Sequence, residues 1–265
     1  MNAERFADAG VLCQQEDGRR IHVEVVTETA STNTDLLARL PFLTSATALW
    51  ALRQTAGRGR NGRRWYSAEG ASLTFSLAWP FSRAVRGLSG LSLAVGVALT
   101  ETLIAMGVPV MLKWPNDILA DGRKLAGILV ETRAAGGGDS AQSWAVIGVG
   151  LNLGLPEQVR RQLDNPAASA GGLADMDRPV LLAKLLDALA DMLGIFDQSG
   201  FAPFAGQWRR YDYHHGRKVC VQGEAGQEWL GVVAGVNAEG MLHLETDSGA
   251  VFLRSGDVSL RPHKG

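Results

Sequence analysis

The segment from Ile147 to Leu153 constrains the fold more than any other part of the sequence. Its odd positions are isoleucine, valine, leucine and leucine, and its even positions are glycine, glycine and asparagine. Because side chains alternate between the two faces of a strand, one face should pack in the core and the other should be bare apart from Asn152. A bare face lets a ligand or another backbone approach closely. The structural alternative is a helix packed tightly against the glycines.

Other stretches predict helices and strands around this one. The run Ser31-Thr32-Asn33, followed by Asp35, is typical of a helix N-terminus. Longer amphipathic helices are expected at 88–106 and at 179–196, where Pro179 suits a first helical position. Strands are predicted at 47–54, 72–79, 110–114, 116–120, 123–132 and 143–153. The most apolar stretch, 88–114, contains polar residues and Pro109, so it favours a buried helix and a strand over a membrane span.

The sequence changes in character after Tyr211. Short strand-like runs follow at 218–222, 228–236, 241–246 and 251–256, separated by turn sequences. A small β-barrel is a natural way to protect the edges of such a unit. We place the domain boundary within 211–216.

The global charge gives no argument for a nucleic-acid or membrane partner. Lys plus Arg is 26 and Asp plus Glu is 27 in 265 residues, a net charge of −1. Any basic site must therefore be local. Cys13 and Cys220 have no metal or redox spacing, as is usual inside cells. The start of the chain shows no secretion signal and is too short for a helix-turn-helix domain, which needs roughly 50 residues or more to bury a core.

The segment from Gln54 to Trp65 is rich in glycine and arginine. It contains G-x-G-x-x-G, but no apolar helix follows, which excludes a dinucleotide-binding turn. Residues 57–64 hold three glycines and four arginines. Glycine allows close backbone approach and arginine binds carboxylate or phosphate, so this segment is a candidate anion-binding loop that is mobile when empty. A solvated surface loop or an RNA-binding tract are the alternatives.

Two further motifs have a functional and an ordinary interpretation. In Lys113-Trp114-Pro115-Asn116-Asp117, the Asn and Asp side chains follow a predicted strand. They suit purine recognition and metal or amine contact, or they form a common turn. Lys124 begins an apolar strand, where it is either an exposed lysine or a charge directed into a site.

The order of these motifs resembles the biotin protein ligases, in the form without an N-terminal DNA-binding domain. The resemblance covers roughly residues 20 to 262 and is carried by STNT, QTAGRGRNGRRW, KWPND, GRKLAGILVE and GVGLNL. It implies an α+β fold with a mixed β-sheet and packed helices, of the class II aminoacyl-tRNA synthetase and biotin ligase type. A small C-terminal SH3-like β-barrel should follow. The implied domains are 1–211, catalytic, and 212–265, the barrel.

The resemblance also implies roles for individual residues. The implied biotin contacts are Ser31, Thr32, Asn33, Gln54, Arg58, Gly59, Arg60 and Lys124. The implied nucleotide contacts are Arg63, Trp65, Asn116 and Asn152, with Trp65 closing over the intermediate. The implied catalytic residues are Arg58, Arg60, Lys124 and Asp117. No fixed protein metal site is expected; Mg²⁺ would arrive with ATP, with Asp117 as a candidate ligand.

The implied activity is ATP-dependent attachment of biotin to a lysine. Biotin would be activated to biotinyl-5′-AMP and transferred to the biotin carboxyl carrier protein of acetyl-CoA carboxylase. We expect a cytoplasmic enzyme, monomeric or weakly dimeric, without DNA or membrane partners and without repressor activity. The alternatives are a lipoate or octanoate ligase or transferase and, less favoured, an RNA-binding module.

Overall fold

A computed structural model describes residues 13–14, 20–67, 69–136, 142–154, 171–223, 227–254 and 259–262. Its main element is an eight-stranded sheet in the order β1-β2-β3-β4-β8-β7-β6-β5. The pair β2 and β3 is parallel and the other pairs are antiparallel, which confirms a mixed sheet. The strands are β1 Cys13–Gln14, β2 Arg20–Thr29, β3 Thr47–Gln54, β4 Ser72–Phe81, β5 Met111–Lys113, β6 Asp117–Ala120, β7 Arg123–Ala134 and β8 Ser143–Asn152.

Helices cover both faces of this sheet. They are α1 Thr32–Arg39, α2 Leu91–Ala105, α3 Gly171–Ala174, α4 Arg178–Ser199 and α5 Ala205–Tyr211. Within the stretch 85–105, long and apolar enough to cross a membrane, α2 has ten of its 15 residues buried, and it packs on α4 and on the sheet. The burial of α2 agrees with the predicted buried helix, and the strand Met111–Lys113 follows it as predicted.

The alternation in β8 divides the core as predicted. Ile147, Val149 and Leu151 belong to the large core beneath α2 and α4. On the opposite face, Val146 joins a small cluster with Leu36 of α1. The two glycines of the alternation therefore lie on the face that carries α1.

The C-terminal part is a separate antiparallel sheet in the order β12-β11-β10-β9-β13. Its strands are β9 Lys218–Gln222, β10 Glu228–Val236, β11 Leu242–Thr246, β12 Gly249–Leu253 and β13 Ser259–Pro262. The predicted all-β character is confirmed, and the SH3-like closure remains a prediction.

This second sheet is seated on the N-terminus of α2. The indole Nε1 of Trp114 donates to the carbonyl of Gly240 at 3.3 Å. A Cβ on Gly240 would lie 2.9 Å from the Cα of Gly90, so the two backbones are in close contact. The motif that begins with Lys113 is thereby held between the two sheets.

A buried acid and a buried histidine lie where the chain passes between the two sheets. The side-chain Oδ1 of Asp212 accepts from the backbone N–H of His214 at 3.0 Å. Within the described residues, Asp212 Oδ2 and His214 Nδ1 have no hydrogen-bond partner. Burial raises the pKa of Asp212 to about 7 and lowers the pKa of His214 to about 4, with Lys113 and Arg217 adding to the fall for the histidine.

These two groups predict opposing pH dependences of stability. Asp212 is protonated in the folded protein up to about pH 7 but ionises near 3.8 when exposed, so its contribution falls as pH rises through that window. His214 is neutral when folded and protonated below 6.5 when exposed, so its contribution rises with pH between about 4 and 6.5. Over the shared range the two effects offset each other.

Asp212→Asn should expose the histidine effect alone. The free energy of unfolding of the variant, from urea titrations, should rise by at least about 1.4 kcal/mol, one pKa unit, between roughly pH 4 and 6.5. Asp247→Asn, in an exposed turn, is the control and should keep the wild-type profile. Parallel profiles for Asp212→Asn and wild type would refute the assignment.

Candidate functional site

The register of the central strands brings two glycines side by side. Gly150 of β8 is paired with Gly127 of β7, and the same row continues to Thr74 on β4 and to Asp117 on β6. Paired residues on neighbouring strands point to the same face of a sheet. Between Thr74 and Asp117 there is therefore a strip without side chains, which we call the glycine trough (Gly127 and Gly150).

Gly148 leaves room for a different neighbour, the side chain of Asn33 in α1. A Cβ at Gly148 would lie 2.2 Å from the Oδ1 of Asn33 at the beginning of α1. The predicted alternative of close helix packing therefore applies at Gly148. The trough at Gly150 faces the arginine loop.

A buried polar network joins the start of α1 to the sheet. The side-chain oxygen of Gln54 accepts from the backbone N–H of Thr32 at 2.8 Å. The Ser76 hydroxyl lies 2.6 Å from the Thr32 hydroxyl and donates to Asn33 Oδ1 at 2.6 Å. Ser31 caps the helix through Thr34 N–H. Four predicted biotin residues thus converge, together with Ser76, which the sequence analysis missed.

The arginine loop folds back on itself as a short hairpin-like turn. Gly59 N–H donates to the Arg63 carbonyl at 2.7 Å, and Trp65 N–H donates to the Gly57 carbonyl at 2.8 Å. The turn at Arg60–Gly62 passes through Asn61, whose φ is 54°. No helix follows, which confirms the exclusion of a dinucleotide-binding turn.

Trp65 covers the glycine trough. A Cβ on Gly150 would lie 2.2 Å from its Cε2, and a Cβ on Gly127 would lie 3.3 Å from its Cζ3. The Lys124 ammonium is 5.7 Å from the indole centroid. The indole Nε1 is buried, with no hydrogen-bond partner among the described residues. An acceptor on a ligand would satisfy this donor.

The remaining predicted residues surround the trough. Lys124 Nζ forms an ion pair with Asp117 at 2.7 Å, with side-chain exposures of 33% and 22%. Arg60 donates to the Asn116 side-chain oxygen at 3.3 Å. Asn152 donates to the Lys124 carbonyl at 3.4 Å. Lys124 and Arg60 are therefore two half-buried cations on the Asp117 side of the trough, which Trp65 covers, and together they are suited to binding an anion.

The two predicted site arginines that remain are Arg58 and Arg63. The Arg58 guanidinium faces Glu131 of β7, with its two nitrogens 3.0 and 3.2 Å from the two carboxylate oxygens. Arg63 is exposed. The sequence analysis missed Glu131, and the only sequence signal was a carboxylate at the end of the apolar run GILVE.

Among the residues that the structure describes, no group of three His, Cys, Asp or Glu side chains is suited to a metal ion. Asp117 provides one carboxylate on the row beside the trough. A single carboxylate fits Mg²⁺ that is bound mainly by phosphates and water.

Comparison with known proteins first defines a broad class. The Biotin/lipoate A/B protein ligase family model matches residues 24–152. The chain is 36% identical over 265 residues to the bifunctional ligase/repressor BirA of Escherichia coli K12, covering 97% of this chain and 79% of that protein. It is 35% identical over 245 residues to the biotin–[acetyl-CoA-carboxylase] ligase of Mycobacterium tuberculosis, covering 89% and 88%.

A solved structure supports the same grouping. The biotin protein ligase from Aquifex aeolicus in complex with biotin and ATP has a TM-score of 0.72 and 29% identity, covering 91% of this chain and 99% of that one. The chain belongs to the biotin protein ligase family.

Gly150→Ala tests whether Trp65 is seated in the trough. The added methyl would overlap the indole, so Trp65 should leave and the loop amides at 57–65 should exchange with solvent about tenfold faster or more, the effect of about 1.4 kcal/mol. Hydrogen exchange read by mass spectrometry measures this. Gly154→Ala, where nothing lies within 4 Å, is the matched control. Equal exchange in both variants would mean that Trp65 does not depend on Gly150.

Proposed function

We propose that this protein is an ATP-dependent biotin–protein ligase. It activates biotin to biotinyl-5′-AMP and transfers the biotin to a lysine of the biotin carboxyl carrier protein of acetyl-CoA carboxylase. The observation that carries the proposal is the meeting of Arg60, Lys124 and Trp65 at the glycine trough. Membership in the biotin protein ligase family adds the substrate class.

Biotin and nucleotide would occupy neighbouring parts of one groove. The network of Ser31, Thr32, Asn33 and Gln54 supports a biotin end beside α1. The group around Trp65, which includes Asn116, Asn152 and the exposed Arg63, supports a nucleotide end along the trough. Gly59 and Arg60 would lie between the two ends.

The first step joins two negatively charged groups. A carboxylate oxygen of biotin attacks the α-phosphorus of ATP, a new O–P bond forms, and the bond to the leaving pyrophosphate breaks. Lys124 and Arg60 would offset the charge where the groups meet, because preformed cations in a sheltered site stabilise such a transition state. Mg²⁺ bound with ATP would neutralise the phosphates, and Asp117 is the candidate protein ligand for it.

The second step transfers biotin to the acceptor lysine. The neutral amine attacks the acyl carbon and AMP leaves. A lysine has a pKa of about 10.4 in water, so a group that takes up its proton helps the reaction. Asp117 lies on the same row of the sheet beside the trough and is our candidate for this role; in the structure it forms an ion pair with Lys124.

Our proposal extends to the domains, the location and the partners of the enzyme. We propose a catalytic domain of 1–211 and an SH3-like barrel of 212–265, supported by the five-stranded C-terminal sheet. The Mycobacterium tuberculosis relative, named only as a ligase, is matched over 88% of its length, which supports a ligase without repressor activity. We also propose a cytoplasmic enzyme, monomeric or weakly dimeric, that binds neither DNA nor membranes.

A lipoate or octanoate ligase is the second candidate, because the matching family model covers both substrate classes. An RNA-binding module is less favoured, since Arg58 and Arg60 donate hydrogen bonds to protein side chains. The test is to mix the protein with MgATP and with biotin, lipoate or octanoate, and to identify adenylates by mass spectrometry. Biotinyl-AMP alone is expected. A lipoyl or octanoyl adenylate, or no adenylate, would overturn the proposal.

Arg60→Ala should loosen retention of the intermediate. Arg60 joins the loop to Asn116 beside the trough, so its loss should let biotinyl-AMP escape and label bystander lysines. Free biotinyl-AMP and non-specific biotinylation of albumin are measured against Arg53→Ala, which removes an exposed ion pair with Glu28 elsewhere. Weaker biotin binding with no rise in released intermediate would contradict this role.

A further inference from the structure

Glu131 is the one charged group that links the arginine loop, α1 and the floor of the sheet among the residues described here. Its Oε2 accepts from Asn33 Nδ2 at 3.0 Å and from Arg58 NH1 at 3.2 Å. Its Oε1 accepts from Arg58 NH2 at 3.0 Å. The side chain is 20% exposed, whereas Arg58 is 45% exposed. The reaction described above assigns no task to this carboxylate.

The contacts of Glu131 direct Arg58 away from the trough. The same guanidinium also donates to the Thr34 hydroxyl at 3.3 Å, so α1 and β7 both hold it. Its charge is already balanced by a bidentate carboxylate, the strongest geometry available to arginine. Arg58 is therefore placed as an anchor of the loop, and Arg60 and Lys124 are left as the cations that face the trough.

Glu131 also sets the orientation of Asn33. A carboxylate only accepts hydrogen bonds, so the Asn33 amide must turn its NH₂ group toward Glu131. Asn33 Oδ1 then faces the Ser76 hydroxyl, which donates to it. A glutamine at 131 would remove this constraint, because its amide offers both a donor and an acceptor.

We propose that Glu131 is a positioning residue for biotin binding: it anchors the arginine loop through Arg58 and orients Asn33. This inference rests on the proposed function for its ligand. The anchor sets where Gly59 and Arg60 lie, and it reduces repulsion among the loop arginines. Partly exposed ion pairs contribute little to global stability, so the effect falls on the loop and the ligand.

The first arm of the test needs no ligand. In Glu131→Gln the loop amides at 57–65 should exchange about tenfold faster or more than in wild type, since hydrogen bonds to a charged group are lost. Glu131→Asp, which keeps the charge, should restore part of the protection. Glu28→Gln breaks a comparable ion pair with Arg53 and is the matched control. Unchanged exchange in Glu131→Gln would overturn the anchor.

The second arm uses activity. Glu131→Gln should raise the KM for biotin about tenfold or more, with the KM for ATP and the midpoint of thermal unfolding close to those of Glu28→Gln. With Glu131→Ala and Arg58→Ala as the single variants, the double variant Arg58→Ala/Glu131→Ala should raise the biotin KM by less than the product of the two single effects, because the two residues share the loop anchor while Glu131 alone orients Asn33. Three results would contradict a positioning role: free-energy effects of the two single substitutions that add in the double variant, an equal rise in the KM for biotin and the KM for ATP, or a lower midpoint of thermal unfolding.

The two proposals fail separately. If wild-type protein forms no biotinyl-AMP, the proposed function is wrong, and the exchange experiment still decides whether Glu131 anchors the loop. If wild type forms biotinyl-AMP while Glu131→Gln behaves as Glu28→Gln in both arms, only the inference on Glu131 is wrong.

Discussion

The site depends on two neighbouring positions of the central sheet that carry no side chain. Gly127 and Gly150 are paired across β7 and β8, so the two positions without side chains form one continuous strip. A single methyl group at Gly150 would overlap the Trp65 indole. The opposite face of β8 is occupied by core residues, and the strand can therefore offer a ligand surface without weakening the packing beneath α2.

Each cation of the site has its own protein partner. Arg58 is paired with Glu131, Lys124 with Asp117, and Arg60 donates to a neutral amide at Asn116. Close cations repel one another, so these local partners let a strongly basic loop fold over the sheet. The partners of Arg60 and Lys124 lie beside the trough. An anion that enters the trough would therefore contact these two cations first.

The sequence predicts local features of this arrangement better than long-range ones. The alternation at 147–153 and the cap at Ser31 depend on neighbours in sequence, and the structure has both. Helix α2 is present, but ten of its 15 residues are buried, so it is buried on most sides rather than along one apolar stripe. The strand Arg20–Thr29 and the helix Ala205–Tyr211 were not predicted. Ser76 and Glu131 were missed because their partners are set by sheet register and by the placement of α1. A pattern within one strand does not specify that register.

The central claim is that the reacting groups meet on the glycine trough under the arginine loop. A crystal structure with biotin and a non-hydrolysable ATP analogue tests it most directly. The account predicts the biotin carboxylate and the α-phosphate between Arg60 and Lys124, with the nucleotide along Gly127 and Gly150 in contact with Trp65. A ligand bound elsewhere, with Trp65 still packed on Gly150, would contradict it.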